Sequence, residues 1–327
     1  MESTHIIPPA QPMPISVDKR RRKQFIKRNQ IRTELAFWGF AAPLLLGLAA
    51  FVYIPILWSI WLSFFNARGT IAPTQFVGFA NYASMLNDAD YRQSLITITL
   101  FAIFIVPTTF AASLGLALLV NTIRFAQSFF RSVFFLPTAC SYVVASLVWK
   151  LGIFDGLPTG FANTVLSFFH VAPIDTWITS TQPPYYWIVL VTLRLWIQVG
   201  GYMLLFIAGL QNITPELYEA AMVDGARRGW KTFRYITFPL LRNTSIAILI
   251  LILIAAYQAF DEFYNVMGSS NTGNSSLGRP PLLYIFQVAL GGQDYGRGSA
   301  GALIIALIII VITIFQAKLF GFGKANS

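Results

Sequence analysis

The chain has 327 residues, of which 56% are hydrophobic, 15% aromatic and only 11% charged, and its mean hydropathy is +0.62. Soluble domains carry about a quarter charged residues, and here the apolar residues gather in runs longer than the ~18 that cross a bilayer. Composition therefore excludes a soluble protein and defines an all-α integral membrane protein; the net charge of +10 does not indicate nucleic acid, because the cations flank the apolar runs.

Residues 1–33 form a basic tail ahead of a membrane domain over 34–327. Residues 1–18 are Pro-rich and are predicted to be disordered. Lys19, Arg20, Arg21, Arg22 and Lys23 open a basic run to Arg32. That run reads as a topogenic signal that also touches anionic lipid head groups. The first span, roughly 35–65, is too long for a signal peptide and lacks a small-residue cleavage site, so it reads as a retained signal anchor.

Five further helical spans follow, roughly 95–120, 132–154, 185–211, 243–267 and 299–320, making six. The only cysteine, Cys140, lies inside the third, so there is no disulfide framework and no thiolate metal site. His5 and His170 are far apart and neither belongs to a metal-ligand spacing; His170 reads as a loop residue. No metal site is expected.

Lys and Arg placement gives the orientation. The tail, the linkers after the second and fourth spans and the C-terminal end hold seventeen of them, against four (Arg68, Arg92, Arg279, Arg297) in the other loops. Lys150 and Arg194 lie within spans. Both termini and the linker after the fourth span are thereby expected in the cytoplasm.

That linker, 214–240, holds the stretch Glu219–Pro239, whose sequence is EAAMVDGARRGWKTFRYITFP. Thr214 is the expected N-cap and Pro215 the first residue of a short helix running to Asp224. Gly225 is expected to end that helix in the left-handed conformation. A second piece, Trp230–Phe238, places Trp230, Phe233 and Ile236 at helical spacing, and Pro239 is expected to end it. Ala220 and Ala221 are small enough for another protein to approach the backbone, with Glu219 beside them. Two readings stand: a docking element for a partner protein, or an amphipathic helix lying on lipid. The alanine pair and central glycine favour docking, since lipid anchors use bulky apolar residues.

The fifth span changes character along its length. Ile246–Ile254 is uniformly apolar, whereas Tyr257, Gln258, Asp261, Tyr264 and Asn265 recur at spacings of three and four, which predicts one polar face in the outer half of the membrane. Ionisable residues within spans are costly and usually face a cavity or a partner. Carboxylate, amide and aromatic groups together suit a sugar, whose hydroxyls need hydrogen bonds and whose ring faces stack on aromatics. Against that, Asp261 and Glu262 have a plain alternative, snorkelling to the head groups or pairing with Arg194 or Lys150. Gln198 in the fourth span is a second path candidate. Trp149 reads equally as a contact or as an interfacial belt residue. The outside loops 67–94, 155–184 and 268–298 offer surface for an external partner.

Glu219-Ala220-Ala221, then Asp224-Gly225-Ala226, Ile236 and Phe238-Pro239, resemble the EAA signature of permease subunits in binding-protein-dependent ABC importers. The gap from Gly225 to Ile236 is one residue longer than the usual pattern, and Phe238 stands where Leu is usual. Other elements match the carbohydrate subset of these permeases, the maltose and glycerol-3-phosphate type. They are Phe76-Val77-Gly78-Phe79-Ala80-Asn81-Tyr82, Arg131 with Phe134-Phe135-Leu136-Pro137, Trp149, Asn163, Gly201-Tyr202-Met203, Ala208-Gly209-Leu210-Gln211 and Phe260-Asp261. The usual Gly-Gly-Pro after the last of these is replaced by the looser Gly268–Pro281.

The resemblance implies a six-helix type I importer permease fold with a cytoplasmic EAA coupling loop, in a prokaryotic cytoplasmic membrane. It implies a second homologous permease subunit, an ABC ATPase dimer docked at the EAA loop, and an extracytoplasmic solute-binding protein that delivers sugar. The chain has no phosphate-binding loop: Gly323-Lys324 is followed by Ala325 and has no glycine five residues before it. No cofactor is therefore expected in this chain, ATP and magnesium being left to the ATPase. No catalytic residue is expected either, for there is no His cluster, metal spacing or nucleophile elbow. The alternative is an ion-coupled secondary transporter using Asp261, Glu262 and Arg194 as a relay, which would need inverted repeats that the sequence does not display.

Overall fold

The computed structural model of the chain describes residues 19–123, 125–225, 229–268 and 278–320, with side chains from Thr33 onward. The Pro-rich tail 1–18 and Ala226, Arg227 and Arg228 of the EAA segment lie outside the described residues. The chain divides into two units, 1–58 and 59–327.

In the first unit, α1 (Lys19–Leu48) runs into a π-helical turn, Ala49–Tyr53, and then into α2 (Ile54–Leu62). The amide of Ile54 reaches five residues back to the Ala49 carbonyl. Pro55 follows and has no amide, so the wide turn falls where the ladder must skip a donor. The apolar helical stretch Thr33–Leu62 is 30 residues long, enough to cross a bilayer.

The unit boundary falls inside α2, and after the last turn of that helix the second unit continues with a two-stranded ribbon, β1 (Phe65–Asn66) antiparallel to β2 (Gln75–Phe76), followed by α3 (Ala80–Asn87). This explains the Phe76–Tyr82 motif. Gly78 turns the chain at φ +56, the Asn81 amide donates to the carbonyls of Ser63 and Phe65 at 2.9 Å each, and the Tyr82 and Ser63 hydroxyls meet at 2.6 Å.

Helix α4 (Ala89–Thr122) packs on α8 (Tyr186–Gln211) and α12 (Arg242–Tyr257), and these three form the centre of the unit. Between α4 and α8 come α5 (Gln127–Phe135), a 3₁₀ turn (Leu136–Ala139), α6 (Tyr142–Val148), a π turn (Trp149–Ile153) and α7 (Phe161–Phe168). The continuous helix predicted over 132–154 is instead bent by 94° between Ala139 and Tyr142. Pro137 and the extended Cys140 and Ser141 break the ladder there, and Ser141 caps α6. The first arm lies so close to α8 that a Cβ at Gly200 would collide with the Phe134 carbonyl, and Thr138 donates to the Ile197 carbonyl at 3.0 Å.

After α8 come α9 (Pro215–Val223), α10 (Trp230–Thr232), a π turn (Phe233–Thr237), α11 (Phe238–Leu240) and α12. The fifth predicted span is also not one helix. A 72° turn where α11 meets α12 lies just ahead of it, and within it α12 stops at Tyr257 before α13 (Asp261–Met267). Then α14 (Pro281–Phe286), a π turn (Gln287–Gly291) and α15 (Tyr295–Phe320) complete the order. Among the described residues, four helices are long and apolar enough to span a membrane, and the two bent pairs Gln127–Ile153 and Trp230–Tyr257 are apolar enough to be spans as pairs.

The core lies in two clusters. One, around Phe101, Leu193 and Phe263, fills the half where α4 and α8 begin; the other, around Leu114, Phe206 and Ile248, fills the half where they end. The first is called the far end below and the second the loop end, because α9–α11 follow directly from α8.

Candidate functional site

The loop-end segment is a helix–turn–helix. Thr214 occupies the N-cap position but its side chain bonds no amide, while Pro215 takes the first helical position as expected. Glu216 in the first turn favours the positive helix end. The Asp224 amide returns to the Ala220 carbonyl at 3.0 Å and Gly225 takes φ +85, which only glycine adopts freely. Glu219, Ala220, Asp224, Gly225 and Pro239 are exposed, and Ala221 and Ile236 are half-buried.

The second piece runs past the predicted stop. The Phe238 amide reaches five back to Phe233 and Pro239 sits inside α11, so the chain turns at Leu241 instead. This repeats the arrangement before Pro55: a π turn closes on the residue preceding a proline, where the amide is missing anyway. Trp230 stacks near Phe233 (5.3 Å), and Phe233 near Phe238 (5.8 Å). The Tyr218 hydroxyl meets Thr237 at 3.1 Å, tying the two helical pieces together. Between this segment and α4 lies a cavity of about 1170 Å³, walled by Leu114, Gly115 and Leu118 on one side and Glu219, Met222 and Trp230 on the other.

The path candidates of the fifth span are divided by a break. The Gln258 amide still reaches Ile254, but that of Ala259 turns to Ala256, three residues back, and Phe260 leaves helical geometry at φ −143. Helical phase is lost, so the five residues do not form the single continuous face that their spacing predicts. Tyr257 is buried, with its hydroxyl 3.4 Å from Thr99. Gln258 and Asp261 are exposed. Tyr264 and Asn265 are half-buried; Tyr264 stacks on Phe260, and the Asn265 amide donates to the Asp261 carbonyl at 2.7 Å.

Consecutive helical residues point about 100° apart, and the two acids behave accordingly. Asp261 faces out, whereas Glu262 is 1% exposed and pairs with Arg194, itself 4% exposed. Of the pairings open to the acids, the structure takes Glu262 with Arg194. The same guanidinium donates to the Ala255 carbonyl and lies over the rings of Phe101 (5.8 Å) and Tyr142 (5.5 Å). Gln198 lies one turn along α8 from Arg194. Sequence reasoning did not see Tyr142, Phe101 or the Ala255 carbonyl, because none carries a signal of its own. Trp149 is buried and donates to the Thr192 hydroxyl at 3.1 Å, so it is held in the core.

At the far end, Asp88 caps α4 and accepts from the Tyr284 hydroxyl (2.5 Å) and Arg297 (3.1 Å). Burial pushes this carboxyl up, but the bonds from Tyr284, the Tyr91 and Asp90 amides and Arg297 outweigh it and hold it below the ordinary value of 3.8. Burial, followed by the bond to Asp88, pushes the Tyr284 hydroxyl up to about 12. Beside it Arg279 pairs with Asp90 at 2.9 Å. No group of three or more potential metal ligands occurs among the described residues.

These features define a helical membrane protein with an exposed amphipathic segment at one end. Solved structures identify its fold. A bacterial ABC transporter involved in import of the acidic polysaccharide alginate has a chain matching 91% of this one and 99% of its own length, with TM-score 0.76 and 19% identity. A chain of the alginate transporter in complex with an alginate pentasaccharide-bound periplasmic protein matches 89% and 96%, with TM-score 0.74 and 20% identity.

No protein-family model matches the sequence, but curated relatives do over nearly the whole chain. The probable starch degradation products permease AmyD of Thermoanaerobacterium thermosulfurigenes is 30% identical, covering 90% of this chain and 96% of its own. The arabinooligosaccharides permease AraP of Bacillus subtilis is 31% identical, covering 88% and 89%. The alpha-glucoside permease AglF of Rhizobium meliloti is 30% identical, covering 88% and 83%. The chain belongs to the family of sugar ABC-transporter permeases and functions as a permease subunit of a sugar importer.

Proposed function

We propose that this chain forms a sugar translocation path with a second, homologous permease and couples through its EAA loop to an ATPase pair. The bent pair Gln127–Ile153 is one of six spans and α12 with α13 makes another, both termini and the 214–240 loop are cytoplasmic, and the far end meets an extracytoplasmic solute-binding protein. ATP and magnesium belong to the ATPase chains, and this chain catalyses no covalent step. Glu219, Ala220, Ala221, Asp224, Gly225, Ala226, Ile236 and Pro239 make the docking surface. Tyr257, Gln258, Asp261, Tyr264, Asn265 and Gln198 contribute to the path.

The observation that carries the docking reading is exposed apolar area on a polar loop. Val223 is 88% exposed, Trp230 71% and Tyr235 73%. Such residues clustered around a glycine turn and small alanines mark a surface for a partner. Closing of the ATPase pair would draw this loop with it, and the turn at Leu241 would pass the movement to α12. The starch, arabinooligosaccharide and alpha-glucoside permeases among the relatives support an oligosaccharide as cargo.

The test uses the tagged chain purified in mild detergent from its native membranes. The wild type is expected to bring ATP-hydrolysing activity with it, and Glu219→Lys to lose the bound ATPase while keeping the second permease. An ATPase that is absent from the wild type even after cross-linking in the membrane would overturn the proposal, and uptake driven by an ion gradient would then be measured.

A further inference from the structure

Helix α12 stops beside the buried Tyr257 and Ala259, and a helix end among buried residues leaves carbonyls without donors. The Ala255 carbonyl is the critical one. A continued helix would offer it the Ala259 amide, but that amide turns to Ala256 at 3.2 Å. Arg194 supplies the missing donor from α8, and its other arm binds Glu262 in the first turn of α13. One fork thus holds the last turn of α12 and the first turn of α13 at once. Phe101 of α4 and Tyr142 of α6 lie against the guanidinium and close the space around it.

We infer that Arg194, with Glu262, is the positioning element that keeps the fifth span broken and sets the direction of α13. Asp261, Tyr264 and Asn265 then face the path through that direction, so the pair tunes sugar selection without touching sugar. The inference goes beyond the proposed sugar path and rests on it for its functional consequence. A proton relay does not suit this pair: arginine keeps its charge, and both partners are buried and bound to each other. Nor does a gain in stability account for it, because a buried ion pair is often replaced by apolar residues at little cost, whereas loss of one partner leaves a stranded charge. Lysine would not substitute, since a single ammonium lacks the planar fork that reaches a carboxylate and a carbonyl together.

The experiment compares Arg194→Met, Glu262→Leu, the double variant and Arg194→Lys in the assembled complex, in native membranes. Arg194→Met and Glu262→Leu are each expected to accumulate poorly, and Arg194→Lys and the double variant to assemble with the ATPase. Two readouts follow. The first is uptake of a panel of maltooligosaccharides and arabinooligosaccharides, with KM and maximal rate separated. In the double variant and in Arg194→Lys, KM is expected to rise at least about tenfold, as when a supporting shell is lost, with a changed ranking of sugars. The second is the reactivity of Asn265→Cys toward a membrane-impermeant thiol reagent, with Cys140→Ser as background, expected to change in the double variant. A double variant that assembles with wild-type KM, ranking and thiol reactivity would overturn the inference. If the wild type takes up no sugar, the sugar path fails, and the thiol reactivity alone decides whether the pair positions α13.

Discussion

At the far end and middle of the second unit, three ion pairs stitch the helices together: Arg194 with Glu262, Arg279 with Asp90, and Arg297 with Asp88. At the loop end no ion pair forms among the described residues, although Glu219, Lys231 and Arg234 lie in one short segment, and Trp230 and Tyr235 stand exposed. The far end bonds many of its polar groups within the chain. Asn163 alone donates to the carbonyls of Leu157 and Ile174 and accepts from the Ile174 amide and the Trp177 indole. The loop end leaves Glu219, Lys231 and Arg234 outside any ion pair among the described residues, as the proposed docking surface would need. On the proposed docking reading, the contrast separates residues that hold the chain together from residues that would hold a partner.

The largest effect on the chain itself is expected at the far end. Asn163→Ala removes four hydrogen bonds at a buried site and leaves their partners unmatched, for a loss of roughly 2–4 kcal/mol. Thermal unfolding of the detergent-purified chain should show a clear drop, and a midpoint equal to wild type would mean that the 155–185 loop is held by other contacts. Trp230→Ala should show the reverse pattern. Its exposed ring contributes little to folding, within about 0.5 kcal/mol, but its loss should weaken retention of the ATPase by ~2 kcal/mol if it is a central contact. Equal losses in folding and retention would erase the distinction between the two ends.

The smallest effect is a pH dependence. Asp88 is depressed in the folded chain, so its contribution is complete above about pH 4 and is lost as pH falls through its folded value. Tyr284 is raised from 10.0 to about 12, so its contribution is complete below about pH 10 and is lost as pH rises toward 12. Unfolding midpoints followed across pH should show both losses in wild type. Asp88→Asn should remove the acid one, while Trp230→Ala should keep both. An acid loss that persists in Asp88→Asn would assign it to another carboxylate.

Much of the architecture is written in local patterns. Apolar runs long enough to cross a bilayer marked the helical stretches, because an isolated backbone in lipid must bond to itself. The proline start and glycine stop of α9 were legible because each is a rule about one or two residues. Pro239 was misread for the same reason: as a lone proline it signals an end, but a π turn ahead of it removes the conflict. The break at Gln258–Phe260 was invisible to periodicity, since Tyr257 through Asn265 keep helical spacing on paper. The donor that makes the break tolerable sits more than sixty residues away in α8.

The sequence by itself determined that this is a helical membrane protein and where its long apolar runs and the turn residues of α9 lie, because composition and turn chemistry act over short distances. Only the tertiary structure decided which of two adjacent acids is buried, where the third and fifth spans bend, and that Arg194 joins α8, α12 and α13. Those outcomes depend on which backbone groups lose their partners and on what the packing brings within reach of them.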